Sequence, residues 1–200
     1  MVWPLSSKQV FLASSNLVYS SNLRIFLEET RSTLSPSSFR KDKSQNITDY
    51  SDWYGANMNL YTSYWAMVRN FPKNLVGLNT TMWPPKWRPL GQDKRGIWVI
   101  DCPPLKPGKG CSNLCRGLCE TRHPQDCDFL QKYYEQLSQI DFSKFCNSLQ
   151  NLANRVKKNE NLENIDFAFI VFEAPKNACS ERVIIQQWLR DNNVKIQEWN

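Results

Sequence analysis

The stretch from Gly110 to Cys127 gathers four of the chain's seven cysteines, Cys111, Cys115, Cys119 and Cys127, and its single histidine, His123. A helix would stack thiols spaced four apart on one drifting face, but Gly110, Gly117 and Pro124 interrupt the segment, so a folded-back loop is expected. A loop with several thiols wraps a metal, closes disulfides or buries free thiols. Cys115 and Cys119 have the spacing of a zinc pair. Pro124 suits the first position of a helix, which places Cys127 in its first turn, and Cys179 begins the last helix expected in the chain. Helix starts favour thiolate over thiol. The expected metal set is therefore Cys115, Cys119, Cys127 and Cys179, holding zinc or a [4Fe-4S] cluster, with Cys111 and His123 in reserve. Cys102 and Cys146 read as small buried residues.

Cys179 has a second possible role. A thiol at a helix start with Arg182 one turn on can act as a nucleophile beside a guanidinium that steers phosphate or carboxylate. The candidates for catalysis are Cys179, Glu181 and Arg182, with His123, Glu173 or Glu181 as the general base. The plainer alternative pairs Arg182 with Glu173 or Glu181 as a structural ion pair. Residues 82–110 add Lys86, Arg88, Lys94, Arg95, Lys106 and Lys109 against Asp93 and Asp101, interleaved with Trp83, Trp87 and Trp98. Cations beside rings that stack on bases suit a nucleotide or single-stranded nucleic acid, gripped by Tyr64, Lys86, Trp87, Arg88 and Arg182. Proline-rich loops whose tryptophans cover a core have the same composition.

The totals narrow the classes. Twenty-five basic against 19 acidic residues give a net charge of +6, which permits an anionic partner without requiring one. No apolar run reaches membrane-spanning length, and the serine-rich start lacks the pattern of a secretion signal, leaving an organelle-targeting peptide as a lesser alternative. Seven cysteines without such a signal point to a reducing, cytoplasmic setting. Asn46-Ile-Thr48 and Asn79-Thr-Thr81 fit the glycosylation acceptor pattern.

These residues must be positioned by a mixed fold. Residues 1–50 read as a Ser-rich extension, and residues 51–200 as an α/β domain with a cysteine-rich loop at 102–127. Strands are expected at 58–62, 74–81, 96–100 and 194–199, with a helical turn through Tyr64, Trp65 and Met67. Phe129, Leu130, Tyr133, Tyr134 and Leu137 recur at helical spacing, as do Phe142, Phe145, Leu149, Leu152 and Val156. Residues 166–172 form an apolar run typical of a strand covered on both faces. A helix through Val183, Ile184, Trp188 and Leu189 then separates that strand from the last one, which implies a parallel pair. The expected fold is α/β, a small mostly parallel sheet flanked by helices.

Several pieces together resemble the bacterial and phage proteins called domain of unknown function 488. They are Leu60-Tyr-Thr-Ser-Tyr-Trp65, Pro85-Lys-Trp87, the thiols Cys115, Cys119 and Cys127 before Asp128-Phe-Leu, and Phe172-Glu-Ala-Pro with Cys179-Ser-Glu-Arg182, Trp188-Leu and Glu198-Trp199. The resemblance spans roughly residues 57 to 200 and implies a compact α/β domain without an established reaction. Many relatives carry Cys-His-Arg where this chain has Cys179-Ser-Glu-Arg182, so a histidine role at that corner does not carry over. Two functions remain: an enzyme around Cys179, Glu181 and Arg182, or a non-catalytic interaction module in which metal or buried thiols are purely structural.

Overall fold

Short apolar segments that end in polar residues build the sheet: β1 (Leu60–Tyr64), β2 (Leu75–Asn79), β3 (Gly91–Gln92), β4 (Trp98–Asp101), β5 (Asp166–Val171) and β6 (Gln197–Glu198). The helices are a single turn α1 (Lys109–Ser112), α2 (Asp128–Ser138), α3 (Phe142–Glu160) and α4 (Glu181–Asp191), with 3-10 turns at Trp65–Asn70 and Pro103–Leu105. The computed structural model describes residues 58–112, 127–176 and 180–199. The expected extension at 1–50, the middle of the cysteine-rich loop and Cys179 lie outside them.

The strand order is β3-β4-β2-β5-β1-β6, and every pairing is parallel except the β3–β4 hairpin. The expected mostly parallel α/β sheet is therefore what the chain forms, but the last strand pairs with β1 and not, as expected, with the strand at 166–172, because β1 lies between them. β5 lies between β1 and β2, with Leu60 opposite Phe167 on one side and Leu75 opposite Asp166 on the other. Alternate residues of β5 serve two cores. Ala168 and Ile170 join Trp65, Val68, Phe71, Leu75, Ile97 and Val99 under the first 3-10 turn. Phe169 faces the helices, its ring stacked 6.3 Å from Phe145 of α3, which also meets Trp188 of α4 at 5.3 Å. This two-sided burial is why the run carries no polar alternation.

Local chemistry sets the ends of the elements. The Asp141 carboxylate accepts from the Lys144 amide at the start of α3, and Asn161 ends that helix with φ 53°. The Ser180 hydroxyl accepts from the Arg182 amide to start α4. The strands are shorter than the sequence suggests: the pairing of 194–199 is confined to Gln197–Glu198, and that of 96–100 becomes Trp98–Asp101. β3 was not foreseen, because two residues carry no period. Its hairpin depends on Gly96 at φ +84°, while the Asp93 carboxylate accepts from the Arg95 and Ile97 amides at 2.8 and 3.0 Å.

Gly77 of β2 is the tightest position in the sheet. An added Cβ would lie 2.4 Å from the Ile170 Cδ1 and 3.2 Å from the Val99 Cγ2. Gly77→Ala is expected to destabilise the protein by about 1–3 kcal/mol through overpacking, read as a lower urea midpoint. An unchanged midpoint would mean that Ile170 repacks without cost.

Candidate functional site at the carboxyl edge of the sheet

Parallel strands all point the same way, so their last residues share one edge, where open α/β sheets take their ligands. Here that edge is polar and tightly bonded. At the end of β2, Asn79 is fully buried. Its Nδ2 donates to Asp101 Oδ1 of β4 at 2.7 Å and to the Thr81 carbonyl at 3.3 Å, and its Oδ1 accepts from the Thr81 amide and hydroxyl at 3.1 and 2.7 Å. Trp65 Nε1 donates to the same hydroxyl at 3.3 Å, and Lys106 Nζ lies 2.6 Å from Asp101 Oδ1. A continuous polar path thus runs from Trp65 to Lys106. Asn79 therefore serves this network; a buried, fully bonded amide is no glycan acceptor.

On the other side of β5 a second network closes the edge. Thr62 Oγ1 donates to Glu198 Oε2 at 2.6 Å, and Gln186 Nε2 of α4 donates to Thr62 Oγ1 at 2.6 Å. Arg182, 5 % exposed, stands with Nε 3.1 Å from Glu198 Oε1, and its Nη2 donates to the Glu173 backbone carbonyl. An ion pair is what the plainer alternative expected of Arg182, but the partner is Glu198, not Glu173 or Glu181. Arg182 is spoken for by groups of the protein itself, which leaves it a support of the edge instead of a grip on ligand. The Glu181 acid is pushed up to about 7, first by burial and then by the charge of Glu173 beside it. Burial also raises the Glu198 acid, against the opposing pull of the Thr62 hydroxyl and Arg182.

The basic, tryptophan-bearing segment divides. Pro85 to Arg88 form a turn closed by the Arg88 amide on the Pro85 carbonyl at 3.0 Å, with Lys86 and Trp87 exposed at its tip. Trp87 stands edge-on to Trp65 at 6.4 Å, and Trp83, 78 % exposed, follows closely on β2. Arg88 corrects the expectation of a ligand-facing cation. It turns inward, donates to the Pro89 and Ile97 carbonyls at 2.9 Å each, and lies 3.8 Å from Asp93. Burial lowers its affinity for a proton, and Asp93 offsets only part of that loss. Trp98 is likewise a core ring, its Nε1 donating to Glu160 at 3.2 Å. Arg95 pairs with Asp93 at the start of β4, the opposite end from the polar edge. Tyr64 closes β1 half-buried. The cations therefore form no single surface, because Arg88, Arg95 and Lys106 answer carboxylates or carbonyls of their own segment.

Among the thiols, Cys127 is buried at the position just before α2, and Cys111 is buried with its Sγ 3.8 Å from Gln136 Oε1. Gln136 also accepts from the Gly108 amide and donates to the Lys106 carbonyl, both at 2.7 Å, and the Tyr133 hydroxyl donates to the Leu105 carbonyl. These bonds clamp the start of the cysteine-rich loop to α2. Burial raises the Cys111 thiol and pushes Cys102 and Cys146 up to about 12, which suits the structural role expected of the latter two. Cys115, Cys119, His123 and Cys179 lie outside the described residues. Among the described residues, no group of three or more His, Cys, Asp or Glu could hold a metal ion.

Sequence reasoning missed Thr62, Asn79, Thr81, Asp101 and Glu198 as members of the edge. The available signal was polar residues ending otherwise apolar strands, as in Leu75-Val-Gly-Leu-Asn79 and Trp98-Val-Ile-Asp101. No helix among the described residues is long and apolar enough to cross a membrane. No protein-family model, no curated protein and no solved structure matches the chain.

Removing Arg182 leaves Glu198 part-buried without its cation. Arg182→Ala is expected to destabilise the protein by about 3 kcal/mol, against less than about 0.5 kcal/mol for the exposed Lys86→Ala, both read from urea midpoints. Equal midpoints for the two variants would remove the pair from its structural role.

Proposed function

We propose that the carboxyl edge of the sheet binds a nucleotide or single-stranded nucleic acid. Trp83 and Trp87 supply faces for stacking on bases, Lys86 meets phosphate, and Tyr64 borders the platform. The observation that carries this reading is the exposure of three large aromatic rings on segments leaving carboxyl ends of strands: Trp83 at 78 %, Trp87 at 64 % and Phe172 at 60 %. Other large apolar side chains among the described residues are mostly interior, and isolated aromatics of this size stay out of the core only at a cost.

Two readings of the site follow. As an enzyme, the protein would process its ligand with Glu181 as the group that moves a proton near neutral pH, since Arg182 is engaged by Glu198. As an interaction module, it would only bind. In either reading the zinc or [4Fe-4S] site at Cys115, Cys119, Cys127 and Cys179 is a structural cross-link. Its support is the placement of Cys127 at the position just before α2, where the sequence put one of the four ligands. Bound there, the metal would supply folding energy by tying the loop to helix starts. Membership in the domain of unknown function 488 family and a cytoplasmic setting belong to the same proposal, and both rest on the sequence.

Titrating single-stranded oligonucleotide into the full chain at low salt is expected to quench tryptophan fluorescence. The affinity should fall steeply as salt rises, and Trp87→Ala should weaken it about tenfold, since stacking contributes about 1–3 kcal/mol per base. No quenching by any oligonucleotide or mononucleotide at low salt would end this reading. Separately, elemental analysis of anaerobically purified protein is expected to find metal in the parent and to lose it alike in Cys127→Ser and Cys179→Ser. A parent that is metal-free and fully folded would end the metal proposal without touching the nucleotide one.

A further inference from the structure

At the amino edge of the sheet, opposite the networked rim, two loops bring like charges together. The connection from the first 3-10 turn to β2 carries Arg69 and Lys73, and the β3–β4 turn carries Lys94 and Arg95, all four exposed. Two contacts hold these loops side by side. Arg95 Nη1 donates to the Arg69 backbone carbonyl, and the Lys73 stem crosses Gly96, with Cε 3.6 Å from where a Cβ would stand. Each loop is also fixed from within. Phe71 is buried between Arg69 and Lys73, the Leu75 amide donates to the Pro72 carbonyl at 3.1 Å, and the Gly96 amide donates to the Asp93 carbonyl at 3.0 Å. Asp93, the one carboxylate of the two loops, is already shared by Arg88 and Arg95. Among the described residues, Arg69, Lys73 and Lys94 form no ion pair.

We propose that this edge is a second interaction surface, which takes the phosphate backbone of a duplex nucleic acid without reading its bases. Unpaired cations on adjoining loops repel one another, where protein surfaces usually intersperse both signs, and a row of phosphates relieves that repulsion. The neighbouring acids do little to cancel it. Asp166 is engaged by the Asn59 amides and Glu160 by the Trp98 indole, while the exposed Glu163 stands against Lys157 and Lys158 of the last turn of α3. The exposed large apolar side chains are Trp83, Trp87, Leu90 and Phe172, none of them in these two loops. Nothing at this edge therefore stacks on an unpaired base or enters a bilayer, which leaves contact with phosphate. The length of a strand, roughly 15 Å, separates the two edges, more than the screening length of about 8 Å at physiological salt. The surface thus stands whether or not the stacking platform binds a nucleotide.

The test titrates the full chain into a labelled DNA duplex of about 16 base pairs and reads fluorescence anisotropy across a series of salt concentrations. The proteins are the parent, the triple variant Arg69→Ala/Lys73→Ala/Lys94→Ala, the single variant Lys94→Glu at the exposed turn, and Trp87→Ala. The triple variant keeps the Arg69 backbone carbonyl that Arg95 uses, and its urea midpoint checks that it is folded. The parent is expected to bind at low salt. The triple variant is expected to bind about tenfold more weakly or worse, with a salt slope shallower by about 3, one for each cation removed. Lys94→Glu is expected to weaken binding by itself, and Trp87→Ala to match the parent on the duplex. Loss of single-strand quenching with duplex binding intact ends the nucleotide reading and supports this one. No duplex binding by the parent at low salt, parental affinity and slope in the folded triple variant, or an equal loss in Trp87→Ala would overturn the surface. Binding to vesicles of phosphatidylserine and phosphatidylcholine without binding to the duplex would also overturn it, in favour of a membrane.

Discussion

The whole arrangement depends on β5 being buried on both faces and hydrogen-bonded on both sides. A strand so placed has nowhere to put a polar group except at its ends. Its first residue, Asp166, uses Oδ1 to accept from the backbone amide and the side-chain amide of Asn59, at 2.7 and 3.1 Å, and so fixes the start of β1. Near its end the Ile170 carbonyl accepts from both the amide and the hydroxyl of Thr80, at 3.1 and 2.9 Å, and so fixes where β2 ends. Register on both sides is thereby set by β5. A slip of one residue would drive Phe167 and Phe169 into the face that holds Ala168 and Ile170.

That constraint also explains why the carboxyl edge is so strongly networked. Chain leaving β1, β2, β4 and β5 must turn over the rim of a dry core, and each buried polar atom there needs a partner. Asn79, Thr81 and Asp101 satisfy one another on one side, and Thr62, Gln186 and Glu198 do so on the other. Burying Glu198 requires a cation, and Arg182 is the one the first turn of α4 can deliver. The same helix start brings Glu181 close to Glu173, so the crowding of carboxyls at that corner follows from how the core is closed.

The fold was largely legible because its signals are long and periodic. The helical spacing of Phe129 to Leu137 and of Phe142 to Val156 gave α2 and α3, and the apolar run at 166–172 gave β5, whose pairing with β1 and β2 is parallel. The site was much less legible. Arg88 reads as a cation for ligand in a linear sequence, yet the turn begun by Pro85 points it at the Ile97 carbonyl while Lys86 and Trp87 stay outside. Trp98 and Trp87 are the same residue type in the same segment. One falls on the helix-facing side of β4 and bonds Glu160, and the other falls at a turn tip. Composition does not encode that difference; turn geometry and strand alternation do. Arg182 paired with Glu198 illustrates a second limit, since a contact across the sheet leaves no local trace.

The exposed rings then become easier to understand as a product of the same rim. Trp65 cannot leave the core, because its indole N–H is needed by Thr81 and its ring by Val68 and Ile97. It thus offers a fixed edge against which Trp87 can lean without being buried, and an aromatic held this way keeps one face open to solvent at little entropic cost. Trp83 is placed differently, two residues along the main chain from Thr81, whose hydroxyl donates to Asn79 Oδ1 at 2.7 Å. Both rings are thus tied to the neighbourhood of Thr81, Trp87 by way of Trp65, whose indole donates to the Thr81 hydroxyl, and Trp83 by the main chain. A binding platform needs rings that are open yet preorganised, and here that preorganisation comes from the polar closure of β2, not from packing among the rings themselves.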